Sequence, residues 1–574
     1  MTELSSVIFD YRLRLWWDIV NPPIDYEPAE VLSYNSSKFA SADTIYSTCR
    51  GECIHSNGLA VGCHEECVRL LPTGFVDKLV PISQRSFQPA PPQEKARTTW
   101  LRKDLAKNLA VTLPFPFDVT LGIAWYLPQQ HATNLLTTLD YWMPHSTRVN
   151  VSIPFTEKHV IFEMQRYVSS VMNTNKMCLS QPRISPVLVY VCEDHNGITQ
   201  LIISETEEPP AIDPVPGKWW KSLRLSKFDH EIEFHSDGFK LRRVCYQDTS
   251  TDEITAWPTP QPPRDFRFQQ FCYPNFYPES YHTPARMASL SYNLPGVTGI
   301  SVYCRPEPSA FYAHRVGDDL SLYKSKANNA AWIYMPLDAD EFISEIWMRG
   351  IRRSTTKLAL AFVTNKQRVT LAGHVVFFAE YTYAWTLLDV SHGEPKQLFY
   401  DTHIDGIRCL MFDSPAPLAL SQPFSGPLSD YLSPKLARTT NHHLFWSSAP
   451  LAGVVTVEQC RVKVERSWEI TGLLFCYKDE PTKALGQVRL DCLTGARTVD
   501  PTQQLWFQFR LNKGQRPVVI RVEVTKPPNP DVTWFSVPWS DTLEWWFSFR
   551  ETHLWHDGRK SLSREWKSTN AAEE

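Results

Sequence analysis

The sequence has few glycines and no long uninterrupted apolar run. Its 574 residues include 22 Gly and 44 Pro, whereas average usage is roughly 7% Gly and 5% Pro. Because proline fixes φ, this excess favours strands joined by stiff connections over helical bundles. The best apolar stretch, HVVFFAEYTYAWTLL, is broken by Glu380 and falls short of the roughly eighteen residues that cross a bilayer. We therefore expect no membrane partner.

A secretory leader and a nucleic-acid-binding charge pattern are missing as well. The first twenty residues lack the basic start and apolar core of a signal peptide, since they carry Glu3, Asp10, Arg12, Arg14 and Asp18. A net charge of −4 provides no basic face to displace counterions from a phosphate backbone. The sequence thus predicts a cytoplasmic or nuclear protein that is not secreted and binds no nucleic acid. Most of its 13 cysteines should be reduced thiols.

Common catalytic motifs are absent too. There is no nucleophile elbow, P-loop or dinucleotide fingerprint, and HEECV fails the H-E-x-x-H pattern because Val68 replaces the second His. The LDADEF stretch gathers Asp338, Asp340 and Glu341, whose oxygens suit Ca²⁺, although a solvated turn is the alternative. Neighbouring His442 and His443 would point to opposite faces of a strand, which disfavours a shared metal. The sequence names no catalytic residue and leans away from an enzyme.

The composition and the positions of Pro-rich stretches indicate several domains. With 43% hydrophobic residues and 20 Trp the chain is globular. Pro-rich stretches at 81–99 and 257–266 are typical of boundaries. We predict an N-terminal Cys/His-containing module at 1–80, a Pro-rich linker at 81–115, a mixed α/β middle region at 116–290, β-rich domain A at 291–395, β-rich domain B at 396–555 and a polar tail at 556–574.

The predicted fold class is α+β and β-rich, with antiparallel β-sandwich-like C-terminal domains. Short runs rich in β-branched and aromatic residues, separated by turn signals, predict strands. They lie at 296–304, 357–365, 368–383, 453–465, 470–479, 505–511 and 517–526. In the middle region, EKHVIFEMQRYVSSVM (157–172) predicts a helix. A Thr-Gly phrase in VTGISVY at Val297 is echoed by ITGLLFCY at Ile470, which suggests two related β domains.

The cluster CRGECIHSNGLAVGCHEEC at 49–67 has two interpretations. As a zinc site it would use Cys49 and Cys53 with Cys63 or His64 and Cys67, although C-x₃-C replaces the commoner C-x₂-C spacing. Alternatively, a short helix starting at Cys63 would bury the stripe Cys63, Cys67, Leu70 and Leu71. Both interpretations stay open, and zinc is the only cofactor that the sequence suggests.

Phrases in the C-terminal half resemble a known group of proteins. The segments Ser447–Val454, Gly472–Asp479 and Leu485–Asp491 are similar to the β-rich C-terminal region of poorly characterised filamentous-fungal proteins, many of which are F-box or F-box-like. His64, Cys67 and Leu70 resemble the phrase that precedes the F-box in such proteins. LFCYKDEPTKALGQVRL also resembles lectin-type β repeats, but its turn lacks their Gly.

The resemblance implies an adaptor that recruits substrates to ubiquitin-ligase components. The F-box itself should follow Cys67, where LPTGFVDKLV resembles its opening before a Pro-rich run stops the helices. We therefore expect a non-catalytic intracellular recognition protein with a protein partner, an F-box-like adaptor. The alternatives are a lectin-like carbohydrate-binding protein, which requires exposed Trp or Tyr on one β face, and an enzyme of unrecognised class.

Overall fold

The computed structural model of the chain divides into two units. One unit comprises residues 1–262 with 277–287, and the other comprises 263–276 with 288–574. Within them the structure describes residues 32–34, 44–48, 60–64, 91–126, 145–151, 154–162, 165–173, 188–204, 206, 208–215, 217–225, 231–246, 249–250, 254–261, 267–270, 285–305, 307–325, 330–351, 357–375, 383–402, 407–415, 417, 444–464, 467–528, 530–531, 533–548, 551–557 and 559–561.

The first unit opens with a three-stranded antiparallel sheet in the predicted Cys/His module. Its strands are Leu32–Tyr34 (β1), Thr44–Thr48 (β2) and Ala60–His64 (β3), in the order β1-β2-β3. Cys63 pairs with Ile45 and His64 with Thr44. The helix expected to start at Cys63 therefore does not start there, because that residue belongs to β3.

One helix occupies much of the segment predicted as a linker, and a second helix follows it. They are Pro91–Thr112 (α1) and Phe117–Ala124 (α2). Proline is tolerated in a first helical turn, so Pro91 and Pro92 do not prevent α1 from forming. The helix ends at Thr112, two residues before Pro114, whose ring disfavours helical geometry in the preceding residue. The segment predicted as a linker at 81–115 therefore contains α1, because strong helix formers follow the prolines.

The remainder of the first unit is β-structure. Apolar side chains from several strands form one buried cluster that includes Val149, Val168, Val191 and Phe234. The sheets have the orders β12-β11-β10-β4, β5-β6 and β8-β7-β9. The strands are His145–Asn150 (β4), Phe155–Phe162 (β5), Gln165–Asn173 (β6), Leu188–Asp194 (β7), Gly197–Ser204 (β8), Trp219–Arg224 (β9), Glu231–Ser236 (β10), Leu241–Tyr246 (β11) and Thr249–Ser250 (β12).

The helix predicted at 157–172 is a β-hairpin. Strands β5 and β6 pair antiparallel, with Phe162 opposite Gln165. Tyr167, Val168 and Val171 are buried, so long-range packing selects the strand conformation that β-branched and aromatic residues favour. Among the described residues of the predicted mixed region at 116–290, α2 is the only α-helix.

The described part of the second unit contains six sheets. Their orders are β13-β23-β22-β14, β16-β15-β17, β20-β19-β18-β21, β24-β32-β33-β34, β27-β26-β25-β28 and β30-β29-β31. The strands are Arg267–Gln270 (β13), Met287–Tyr292 (β14), Val297–Cys304 (β15), Pro308–Arg315 (β16), Ala331–Pro336 (β17), Ile343–Ile351 (β18), Lys357–Thr364 (β19), Val369–Gly373 (β20), Tyr383–Val390 (β21), Lys396–Asp401 (β22), Cys409–Phe412 (β23), Phe445–Pro450 (β24), Val454–Val464 (β25), Ser467–Tyr477 (β26), Lys483–Gly486 (β27), Arg497–Thr498 (β28), Gln504–Leu511 (β29), Pro517–Glu523 (β30), Trp534–Pro538 (β31), Thr542–Phe547 (β32), Thr552–His556 (β33) and Arg559–Lys560 (β34). Two short 3₁₀ helices are Leu320–Ser325 (η1) and Leu490–Cys492 (η2).

One apolar core serves both predicted β-rich domains. Ile300 and Phe362, from predicted domain A, belong to the same buried cluster as Leu473 and Phe507, from predicted domain B. The β-rich prediction is confirmed, and each of the seven predicted strand regions contains a strand. The predicted boundary at 395/396 lies inside the second unit, and strands on both sides of it supply that single core.

The two echoed Thr-Gly phrases occupy equivalent places in this unit. In β15, the Leu337 amide donates to the Thr298 carbonyl at 2.9 Å, and in β26 the Gln487 amide donates to the Thr471 carbonyl at 2.8 Å. A Cβ added to Gly472 would lie 2.4 Å from the Gln487 oxygen and 2.7 Å from the Leu485 oxygen. Glycine is needed here because the neighbouring backbone leaves no room for a side chain.

We expect Gly472→Ala to destabilise the second unit by about 3 kcal/mol, because the added methyl group collides with carbonyl oxygens that belong to the sheet. The measurement is the urea midpoint of unfolding in the full-length protein. Gly495→Ala is the matched control, since a Cβ at that position meets nothing within 4 Å. Equal midpoints for the two variants would contradict the steric explanation.

Candidate functional site

The zinc candidates fall mostly outside the described residues. Cys63 and His64 lie at the end of β3, whereas Cys49, Cys53 and Cys67 lie outside the described ranges, as do His442 and His443. Within those ranges, no group of three or more His, Cys, Asp or Glu side chains is placed to hold a metal ion. The zinc interpretation therefore stays a prediction from the sequence.

The acidic LDADEF stretch is engaged by two cations. Lys366 Nζ lies 2.5 Å from an Asp340 oxygen and 3.7 Å from an Asp338 oxygen, and this lowers the pKa of Asp340. Arg368 Nε donates to Glu341 at 2.6 Å, and its guanidinium also donates to the carbonyls of Pro336 and Thr482. Because these carboxylates already have cationic partners, their arrangement serves folding better than Ca²⁺ binding.

The phrases that carry the fungal resemblance meet at one point of the core. Gly472 pairs with Gly486 across β26 and β27, and the Gly486 amide donates to Ser447 Oγ at 2.7 Å. A Cβ on Gly486 would lie 2.6 Å from the Thr471 oxygen and 3.1 Å from the Trp545 ring. These positions hold three strands together, so the resemblance rests on residues that build the fold.

A buried polar triangle joins β15, β16 and η1. Ser301 Oγ lies 2.8 Å from His314 Nε2 and 2.8 Å from Tyr323 OH, and the latter two atoms are 3.2 Å apart. Ser beside His is a familiar nucleophile and base pair. Here, however, all three residues are buried, and His314 Nδ1 has no hydrogen-bond partner to orient the ring. These hydrogen bonds therefore hold η1 against β15 and β16.

The neighbouring thiols are held in their neutral form. Cys460 Sγ accepts hydrogen bonds from the Arg489 amide at 3.2 Å and from Thr471 Oγ1 at 3.4 Å. Burial nevertheless raises the pKa of Cys460, and burial raises the pKa of Cys492 to about 12. Since the thiolate is the reactive species, these sulfurs behave as packing groups.

The most exposed apolar surface of the described chain lies on the α1–α2 hairpin. Thirteen large hydrophobic residues are exposed in the described ranges, and six of them fall between residues 111 and 126. They are Val111 (90% exposed), Phe115, Phe117, Val119, Trp125 (60%) and Tyr126 (81%). We call this set the hairpin surface. Contiguous exposed apolar residues mark interaction sites in soluble proteins.

Packing of the two helices explains why these side chains face outwards. A small cluster of Leu105, Ala106 and Ala124, flanked by Leu109 and Leu121, joins α1 to α2. The turn between the helices carries Pro114 and Pro116, and Pro116 accepts the Val119 amide at 3.0 Å. With the inner positions taken by those residues and the turn stiffened by proline, the remaining apolar residues stay on the outside.

The hairpin surface has a basic border. Lys103, Lys107 and Val111 are spaced four residues apart along α1, which places them on one face of the helix, and all three are exposed. The Arg102 guanidinium lies 3.6 Å from the centroid of the Trp125 ring. Asp118 is exposed between Phe117 and Val119. Cationic groups thus flank the aromatic ones, with the Asp118 carboxylate among them and the partly exposed Asp104 beside Lys103.

Comparison with known proteins adds no identity. No protein-family model matches the chain, and no curated protein gives a significant match to it. Neither helix in the described part of the chain has the length and hydropathy to cross a bilayer. A function can therefore be inferred only from the geometry of this chain's own residues.

Sequence reasoning missed the hairpin surface. The helical pattern of TWLRKDLAKNLAVTL is visible in the sequence, but Phe115, Phe117 and Trp125 were not singled out. One signal was available: Val111 continues the helical face that Lys103 and Lys107 occupy, and apolar residues on a charged face are a sign of contact surfaces. Pro114 and Pro116 are typical of a turn or boundary, so the local sequence pattern does not predict α2.

We expect Arg368→Met to destabilise the second unit by about 3–5 kcal/mol, because it leaves the buried Glu341 carboxylate without its guanidinium. The control is Lys366→Met, which removes an ion pair to the exposed Asp340 and should leave stability nearly unchanged, because solvent screens such a pair. Urea unfolding of both variants measures the difference. Similar losses would show that the two ion pairs contribute alike.

We expect the second unit to lose stability as the pH falls below about 6.5, the ordinary pKa of histidine. Burial lowers the pKa of His314, so the unfolded chain takes up a proton that the folded one resists, and folding weakens in acid. His314→Gln should reduce this slope, which for one group is at most about 1.4 kcal/mol per pH unit. Urea unfolding from pH 7 to 5 measures it, with His392→Gln, an exposed site in the same unit, as the control.

Proposed function

We propose that this protein is a non-catalytic recognition protein that binds a protein partner through the hairpin surface. The observation that carries the proposal is the concentration of six of the thirteen exposed large hydrophobic residues of the described chain within residues 111–126. Trp and Arg dominate the binding energy of protein interfaces. Trp125 with Arg102 stacked on its ring is an anchor of that composition.

The basic border defines the chemistry of the partner. Lys103 and Lys107 are exposed beside Val111, so a matching surface combines apolar groups with carboxylates. An anionic lipid surface fits less well, because inserting Phe117 and Val119 would carry the Asp118 carboxylate towards lipid phosphates of the same sign. An acidic protein with an apolar groove satisfies both features.

The resemblance to F-box-like proteins suggests that this recognition protein is an adaptor whose partners include ubiquitin-ligase components. The stretch LPTGFVDKLV, which resembles an F-box opening, lies outside the described residues, and the matched C-terminal phrases build the core. The adaptor role is therefore supported by the resemblance together with a separate surface on α1 and α2. The carbohydrate-binding alternative concerns a different surface, in the second unit.

Photo-crosslinking tests the hairpin surface directly. With a benzophenone amino acid in place of Phe115, we expect the tagged full-length protein to crosslink one partner in its native cell, through a segment containing Asp or Glu. The same group at Val316, which is 91% exposed in the second unit, is the control. Equal crosslinking at both positions, or none at 115, would overturn the proposal. Cullin-type ligase components among the products would support the adaptor form.

We also expect Phe117→Ala to weaken the captured complex at least tenfold, equivalent to about 1.4 kcal/mol. Charge reversal of Lys103 and Lys107 to Glu should slow association at low salt and matter less at high salt, since exposed charges are screened. Val316→Ala is the matched control. Binding kinetics against the crosslinked partner provide the measurement, and unchanged kinetics in the Phe117 variant would contradict the assignment.

A further inference from the structure

A second surface with recognition chemistry lies on the sheet β30-β29-β31 of the second unit. Along β29, Leu505, Phe507 and Phe509 are buried in the core. Side chains of a strand alternate between its faces, so Trp506 and Gln508 lie on the opposite face, where both are partly exposed. The outward face of this sheet therefore carries an indole and an amide on its central strand.

The strand register places further groups beside them. Gln508 is flanked by Arg521 on β30 and Trp534 on β31, and Trp506 by Glu523 and Ser536. Trp506 and Trp534 are thus diagonal neighbours on adjacent strands, a separation of about 7–8 Å. We call Trp506, Gln508, Arg521, Glu523 and Trp534 the Trp face.

Ion pairs hold the polar groups of the Trp face in place. Glu523 accepts from Arg521 Nε at 2.7 Å and from Arg497 Nη1 at 2.9 Å. The Arg521 guanidinium lies 6.0 Å from the centroid of the Trp534 ring. A carboxylate has about four lone-pair sites, so Glu523 keeps acceptor capacity. Its neighbours are oriented before any ligand arrives, which lowers the entropic cost of binding.

Two polar groups on this face have no partner in the described part of the chain. Gln508 is partly exposed and makes no side-chain hydrogen bond there, so its amide offers two donors and an acceptor. The Trp506 indole N–H also has no acceptor, but it is buried and does not face solvent. The Gln508 amide between two indoles matches a ligand that both donates and accepts hydrogen bonds.

We propose that the Trp face binds a neutral oligosaccharide. A sugar hydroxyl is at once donor and acceptor, as the combination of Gln508 with Glu523 and Arg521 requires. The C–H groups of a pyranose ring carry slight positive charge and pack against the negative face of an indole. Two indoles at diagonal positions on adjacent strands offer two stacking surfaces to a linear chain of rings.

Other ligand classes fit the Trp face less well. A nucleic-acid strand would bring phosphates to a face where Arg521 and Arg497 are already paired with Glu523, so little free positive charge is left for them. A Pro-rich peptide in the polyproline conformation presents mainly carbonyl acceptors, which cannot pair with Glu523. A neutral sugar meets the aromatic, donor and acceptor groups together.

Isothermal titration of the full-length protein tests the proposal with three neutral probes: cellohexaose, chitohexaose and an α-linked mannohexaose. We expect saturable binding of at least one probe. Trp534→Ala and Gln508→Ala should each weaken it at least tenfold. The Gln508 variant keeps the test decisive if loss of Trp534 disturbs folding, because the Gln508 side chain makes no hydrogen bond within the described residues; circular dichroism and melting temperature report the fold of both variants.

Trp468→Ala is the matched control, since Trp468 is 47% exposed on β26, outside the Trp face, and also carries a stacked arginine, Arg461. It should leave sugar binding unchanged. Phe117→Ala on the hairpin surface should also leave it unchanged, so the two surfaces succeed or fail separately. The proposal is overturned if no probe binds, if folded Gln508→Ala binds as wild type, or if only a Pro-rich peptide or an oligouridylate titrates the Trp face.

Discussion

The second unit depends on the close approach of two glycines, Gly472 in β26 and Gly486 in β27. Gly486 has a φ of +78°, which side chains rarely tolerate, and a Cβ there would lie 2.9 Å from the Gly472 Cα. The contact brings β24, β26 and β27 together through Ser447 and seats Trp545, which is fully buried. The apolar core that supports the remaining sheets is assembled around this point, and so is the base of the Trp face, because Phe507 packs edge-on against Trp545.

Several buried polar groups in this unit have hydrogen-bond or ion-pair partners that stabilise the fold. Glu341 is neutralised by Arg368, and the Ser301, His314 and Tyr323 triangle fixes η1. Burial that raises the pKa of Cys460 keeps its thiol protonated, so groups that would suggest catalysis in a list of residues contribute to packing instead. Chemistry at these positions would require solvent access and an oriented base, which these buried groups do not provide.

The two proposed recognition surfaces differ in physical character. The hairpin surface is largely apolar with a lysine border, which suits a dry protein contact with a charged rim. The Trp face interleaves indoles with pre-oriented polar groups, which suits a hydroxylated ligand. The two surfaces lie in separate units. Neither surface includes the residues that carry the fungal resemblance, several of which, such as Gly472 and Leu485, are buried in the core.

The sequence by itself determined the β-rich character of the C-terminal half, because β-branched and aromatic runs between turn signals are local features, and alternation in QLWFQFRL already separates Leu505, Phe507 and Phe509 from Trp506 and Gln508. Tertiary structure alone decided that 157–172 forms a hairpin, that Arg368 neutralises Glu341 27 positions away in the sequence, and that Arg521 and Trp534 flank Gln508. Likewise, exposure of Phe115, Phe117 and Trp125 depends on which residues the two helices bury against each other. The physical reason is the same in each case: burial, ion pairing and strand register are set by partners distant in the chain, and a local pattern of residue types does not specify those partners.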